Sequence, residues 1–476
     1  MLIIRHEFGI IFREINRGAV IRPGTEDIQL EKKKLGGRIL FNIILFGFIG
    51  QVAWAVENVY FNTFLFNYIG GTADDIAKMV AASAIAAVVT TFIMGTLSDK
   101  LDPRRKIFIS GGYIIWGFTV AVFAFISREN IGKLFNISDT SKVVAATVCV
   151  VIIMDCVMTF FGSTSNDAAF NAWVTDVTVP ENRGTAEAVL ALLPVFATVI
   201  VTVAFGVGVE AAGYPACFMF LGALVTICGI IGLFSVKDPR KGVKQSTNYF
   251  SDLIYGFRPS VIKNNAALYL CLASACIFNT AVQVFMPYIF IYVQHYLKFD
   301  LNTFQITTPI IIGGAAAVVG LVVVTILLGK LLDKVGKRIF VFPAVLLFVA
   351  GLVAVFFAKT LLTFVLFALI MILGYGLLMI ILNATVRDYT PEDKVGQFQG
   401  VRLLFTVTLP MIIGPKVGSW TISEFSGRYE LGTMLNEYGE STLVPIPTIF
   451  LVSAIIAVLI IVPLIFLAKV TKEKKA

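Results

Sequence analysis

Apolar runs separated by short charged turns dominate this chain, and most approach the roughly 20 residues that a helix needs to cross the hydrocarbon core of a bilayer. Twelve such runs stand out, at about 39–69, 76–96, 107–126, 143–175, 185–209, 215–236, 264–293, 306–329, 339–358, 361–385, 399–422 and 446–468. None shows the ten-residue alternation of a membrane barrel, and an isolated span must satisfy its own backbone polar groups, so each run predicts a helix. The expected class is an all-α polytopic membrane protein with twelve transmembrane helices.

Two of the intervening turns echo each other. Gly95 to Lys106 reads GTLSDKLDPRRK and Gly329 to Arg338 reads GKLLDKVGKR, each with a glycine, an aspartate four residues later and then a basic cluster. A second pair follows in the same order, DVTVPENRG from Asp176 to Gly184 and DYTPEDKVG from Asp388 to Gly396, preceded by Asn171-Ala172 and Asn383-Ala384. Two turns repeated in order point to two pseudo-symmetric six-helix bundles. Their expected limits are 39–236 and 264–468, joined by a basic linker at 237–263 and flanked by tails at 1–38 and 469–476.

Composition agrees with this pattern. Hydrophobic residues make up 58% of the chain, charged residues 14%, and the mean hydropathy is +0.88, which excludes an ordinary soluble domain. The net charge of +8 would suggest nucleic acid in a soluble protein, but here 30 of the 38 Lys and Arg fall on segments that share one side. The positive-inside rule then places both termini and both repeated turns in the cytoplasm of a plasma-membrane protein, with no nucleic-acid partner. The first 38 residues lack a long apolar core and read as a tail, not a signal peptide. The six cysteines lie within apolar runs without metal-like spacing, so neither a metal site nor a disulfide framework is implied.

Chemistry is concentrated in a few polar groups inside the spans. The first span carries GQVAWAVENVYFN, and a 100° helical step puts Gln51, Asn58 and Asn62 on one side, with Trp54 and Glu57 continuing it. A carboxylate at mid-membrane costs about 2.5 kcal/mol or more, so Glu57 is expected to face the protein interior or a cavity. In the fourth span, counting back from Asp176 sets Asn166 and Asp167 about 14–15 Å deep, near the midplane. Ser163, Asp167 and Asn171 share a face there, and the same count leaves Asp155 near the outer surface. Asn279 and Gln283 lie one turn apart in the seventh span, ahead of a kink at Pro287, and Lys416 sits deep in the eleventh. The loop at about 423–445 carries several glutamates and suggests no role.

With two six-helix halves, a basic linker and the paired turns, the chain resembles the major facilitator superfamily over nearly its whole length from about residue 38. GQVAWAVENVYFNTFLFNYIG and PRRKIFISGGYIIWG most resemble the glycoside-pentoside-hexuronide:cation symporters and the related sucrose transporters. The chain departs from that branch in lacking the Asp pair of the melibiose-type second helix. The resemblance implies a secondary transporter working by alternating access, a cation-coupled symporter of a sugar or glycoside, expected to be monomeric. Sodium or a proton would be the coupling ion, with no other cofactor. Glu57 and Asp167 would be the coupling carboxylates. Gln51, Trp54, Asn58, Asn166, Asn171, Asn279, Gln283 and Lys416 would complete the site. It further implies a cytoplasmic gate of Gly95, Asp99, Arg104, Arg105, Gly329, Asp333, Lys337, Arg338, Asp176, Arg183 and Asp388. In that gate Asp99 would meet the start of the eleventh helix and Asp333 that of the fifth. A proton-coupled antiporter of drugs or lipid-like compounds is the alternative. A membrane enzyme is disfavoured, since His6 and His295 are the only histidines and neither HExxH nor GxSxG occurs.

Overall fold

The computed structural model describes residues 36–100, 105–237, 255–299, 320, 337–391 and 395–473. In its first half lie α1 (Gly37–Tyr68), α2 (Ala73–Lys100), α3 (Arg105–Phe125), α4 (Thr140–Val177), α5 (180–212) and α6 (214–235). In its second half are α7 (Ala266–Tyr296), α8 (Lys337–Phe356), α9 (Leu361–Tyr389), α10 (Phe398–Arg428) and α11 (Thr448–Thr471). The chain is an all-α polytopic membrane protein with ten stretches among the described residues long and apolar enough to cross a membrane, one of which holds both α5 and α6. The run expected at 306–329 lies outside the described residues except for Gly320.

The boundary between α5 and α6 shows how local chemistry sets the topology. The two helices form one apolar stretch, Thr185–Ser235, of 51 residues, far more than one crossing needs. It is broken at Gly213, whose φ of 79° and ψ of 166° suit a residue without a Cβ, just before Pro215. Elsewhere the helices widen into short π-helical segments at Glu57–Phe61, Phe64–Tyr68, Ser163–Phe170, Val201–Phe205, Tyr292–Tyr296 and Leu404–Thr408. Such turns shift the phase of the side chains beyond them and recur at functional sites. Two of them hold Glu57 and Asp167.

Within the first half α3 packs on α6, α1 on α5 and α2 on α4; within the second α7 packs on α10 and α11, and α8 on α9 and α11. Lipid offers no hydrophobic drive between helices, so close approach depends on small residues. At the α3–α6 crossing, a Cβ on Gly222 would lie 2.5 Å from the Gly117 carbonyl oxygen and one on Gly117 would lie 2.5 Å from that of Gly222. Large side chains such as Phe118, Phe220 and Leu346 point outward instead, as bilayer contact requires. Across the halves α2 lies against α10. The six cysteines are free.

The segment after α10 forms a small antiparallel hairpin, β1 (Thr433–Leu435) and β2 (Ser441–Leu443), with Thr433 opposite Leu443. A short helix, Arg128–Phe135, joins α3 to α4 and starts at Ser127, whose hydroxyl accepts the Asn130 amide. Both features sit at the end of the bundle opposite the termini.

Candidate functional site

Glu57 opens the first widened turn of α1 and is directed between α2 and α4. Its Oε1 accepts the Ser83 hydroxyl at 2.7 Å and the Thr159 hydroxyl at 3.2 Å, and those two hydroxyls are 2.9 Å apart. Its Oε2 is buried without a protein partner. A carboxylate with one oxygen held by two hydroxyls and the other unengaged keeps lone pairs free to take a proton or a small cation.

Asp155 belongs to the same cluster, which corrects the expectation that it lies near the outer surface. It is 1% exposed, neighbours Ser83 and Glu57, and leaves Oδ1 without a partner. The earlier count fails because α4 is longer than one bilayer: Asp155 lies fifteen residues from Thr140, about 22 Å along the helix. Asp155, Thr159, Ser163 and Asp167 recur every fourth residue on α4, a spacing visible in the sequence. Ser163 donates to Asp167 Oδ2 at 2.9 Å, and the Asn171 side-chain amide donates to the Asp167 carbonyl at 3.1 Å. A polar stripe therefore runs down α4, with Glu57 against its middle.

The inner end of the stripe opens into a cavity of about 320 Å³ between α1, α4 and α5. Gln51, Asn166, Asp167, Phe170, Asn171 and Glu187 supply its polar and aromatic wall, with no Lys, Arg or His among the described lining residues. Glu187, on α5, was missed in the sequence because it lies near a helix end, where charge is cheap. Asn166 also ties three helices together: its amide donates to the Tyr113 hydroxyl at 2.6 Å, which donates to the Phe46 carbonyl at 2.6 Å. Trp54 packs on Trp116 with centroids 5.0 Å apart, and the Asn58 amide donates to the Trp54 carbonyl at 2.7 Å.

The expected residues of the second half stand apart from this cavity. Gln283 packs where α7 crosses α10 at Gly414, and Asn279 lies one turn before it. Lys416 reaches the opposite end of the bundle and pairs with Asp74 at 2.5 Å. Of the gate residues, Arg105 and Asp176 meet in an ion pair at 2.7 Å, which joins the two repeated turns of the first half. Gly95 lies in the last turns of α2, and Asp388 is exposed near the end of α9. Arg104, Gly329 and Asp333 lie outside the described residues, as do the side chains of Asp99, Arg183, Lys337 and Arg338. Among the described residues no group of three or more acidic, His or Cys side chains converges as a metal site.

Among the described residues, hydrogen bonds between the halves cluster at the end opposite the start of α1 and the end of α11. Arg128, 7% exposed, bonds Glu440 at 2.9 and 3.1 Å and the Ile69 carbonyl at 2.6 Å, while its guanidinium lies 3.6 Å from the centre of the Tyr438 ring. Asn67 bonds Gln294 at 3.1 Å and His295 at 2.8 Å, and the Tyr288 hydroxyl lies within hydrogen-bonding distance of the Ala73 and Pro415 carbonyls. The hairpin after α10, which suggested no role in the sequence, supplies Glu440 and Tyr438.

Comparison with known proteins agrees with this architecture. The Major Facilitator Superfamily profile matches residues 43–415 and again 314–476. Among solved structures, a point mutant of the nucleoside transporter NupG shares 13% identity at a TM-score of 0.65, covering 90% of this chain and 99% of that one. NupG itself shares 14% at 0.61, covering 91% and 100%. A bacterial homologue of the human lysosomal transporter Spinster, inward-facing and unoccupied, shares 14% at 0.55, covering 90% and 93%. No curated protein matches the chain significantly in sequence.

Proposed function

Because this chain belongs to the major facilitator superfamily, we propose that it is a secondary active transporter working by alternating access, which carries a neutral, hydroxyl-rich solute together with sodium or a proton. One observation carries the coupling: the Glu57 carboxylate sits between three helices with one oxygen held by Ser83 and Thr159 and the other unengaged. Loading that oxygen changes the charge of a cluster which α4 connects to Asp167 in the cavity wall, so ion and solute occupancy affect each other through one helix.

The cavity wall supports the solute class. Amides of Gln51 and Asn171 donate to hydroxyls and the carboxylates of Asp167 and Glu187 accept from them, and among the described residues no cationic side chain lines the cavity to draw an anion. A sugar or glycoside fits this chemistry best. A nucleoside is the second reading, since its ribose presents similar hydroxyls to the same wall.

The described state is closed at the end opposite the termini, so the reading gives this cavity access from the side that bears them. The test is thermal unfolding of the purified protein against sugars, glycosides and nucleosides, with and without sodium and at two pH values. One class should raise the melting temperature, and more so with its coupling ion present. No shift with any of the three classes contradicts the solute reading.

A further inference from the structure

A second cavity, away from the Asp167 cavity, is a lateral groove of about 580 Å³ between the outer ends of α2 and α4. Its floor is apolar, built by Val144, Val148 and Ile152 of α4. Its rim carries Asp75 and Lys78 from the first turns of α2, and Glu440 from the hairpin. We infer that this groove is a binding site for a phospholipid with a primary ammonium headgroup, phosphatidylethanolamine in class, in the leaflet at the end opposite the termini.

Geometry selects a lipid. The groove flanks two spanning helices, so an acyl chain from the surrounding bilayer reaches the α4 floor while its headgroup stays level with the charged rim. The signs on the rim then select the headgroup. Lys78 pairs with Asp75 at 3.1 Å and with Asp74 at 3.0 Å, yet its side chain stays 57% exposed. The Glu440 side chain is 41% exposed despite its bond to Arg128.

One ammonium beside two carboxylates complements a group of both signs, its phosphate on Lys78 and its amine between Asp75 and Glu440. A primary ammonium has three N–H donors for that purpose. A choline headgroup has none, and a glycerol headgroup brings a net negative charge toward two carboxylates. Since Glu440 also clasps Arg128, an occupied groove would bear on the closure of the two halves.

The test uses the full chain in phosphatidylcholine vesicles containing a phosphatidylethanolamine with a photoactivatable acyl chain, and maps adducts by peptide mass spectrometry. Adducts should fall on residues 144–153 and be removed by excess unlabelled phosphatidylethanolamine, but not by equal phosphatidylglycerol or further phosphatidylcholine. Asp75→Asn should cut labelling there about threefold, the effect of one ionic contact at the rim, with labelling near Phe118 unchanged. Ala145→Trp, which fills the groove and leaves the rim charges in place, should abolish adducts on 144–153. Adducts absent from 144–153, equal competition by all three lipids, or full labelling of either variant would overturn the assignment.

Discussion

Arg128 and Glu440, 312 residues apart in the chain, meet as a two-point ion pair that fastens the first half to the second at the end opposite the termini. Gly70 makes the approach possible: its φ is +74°, and a Cβ there would lie 2.1 Å from the Arg128 guanidinium. Because the Glu440 side is 41% exposed, the clasp contributes on the order of 1 kcal/mol to closure. Arg128→Ala should therefore move the balance of closed and open states about fivefold toward opening. Spin-label distances between the outer ends of α1 and α7 report it. An unchanged distance distribution contradicts the clasp.

The same pair fixes how closure depends on pH. Hydrogen bonds from Arg128 first, and then from Asn436, hold the Glu440 carboxyl below the ordinary glutamate range. A depressed value means that the charged form favours the closed state. That contribution is fully present above the ordinary value of about 4.3 and is lost as pH falls through the depressed one. Closure by this pair should be flat from neutral pH down to about 5 and weaken only below that, whereas Glu440→Gln should remove the acid step. The spin-label distances checked across pH would contradict this if the step survived in the variant.

At the α3–α6 crossing there is no space for a side chain on Gly222, since backbone meets backbone. Gly222→Leu should lower stability by roughly 1–3 kcal/mol through overpacking, read as a fall in melting temperature of the detergent-solubilised protein. An unchanged melting temperature would mean that the two helices do not cross this closely.

Asp155 is buried beside Ser83 and Glu57, which makes it part of the buried carboxylate cluster rather than a surface charge. Asp155→Asn should weaken the coupling ion's effect at least about tenfold, equal to roughly 1.4 kcal/mol, while solute affinity measured without an ion gradient stays near wild type. Titration of uptake against sodium or proton concentration checks this. Equal ion dependence in both proteins would exclude Asp155 from the cluster.

The helices and the family were legible in the sequence because a bilayer imposes length and apolarity on every span, and because two turns repeat with their charges intact. Depth was harder to read. Asp155 was misplaced because α4 exceeds the bilayer thickness, so a count from one end gives a false surface at the other. Contacts between distant segments left no local trace: nothing around Glu440 indicates that Arg128 is its partner, and nothing around Glu187 shows that it faces the Asp167 cavity. Glu57 could be found because a carboxylate inside an apolar span is costly wherever it points, although its partners Ser83 and Thr159 look in sequence like ordinary small residues at helix contacts.

Uphill uptake by Glu57→Gln in sealed proteoliposomes tests the transport reading most directly. With a labelled solute from the stabilising class outside and an inward gradient of the coupling ion, wild type should accumulate solute above its external concentration. Glu57→Gln should still exchange solute across the membrane but only equilibrate it, and Asp167→Asn should do the same. Accumulation against the gradient by both variants would contradict the assignment of these carboxylates to coupling.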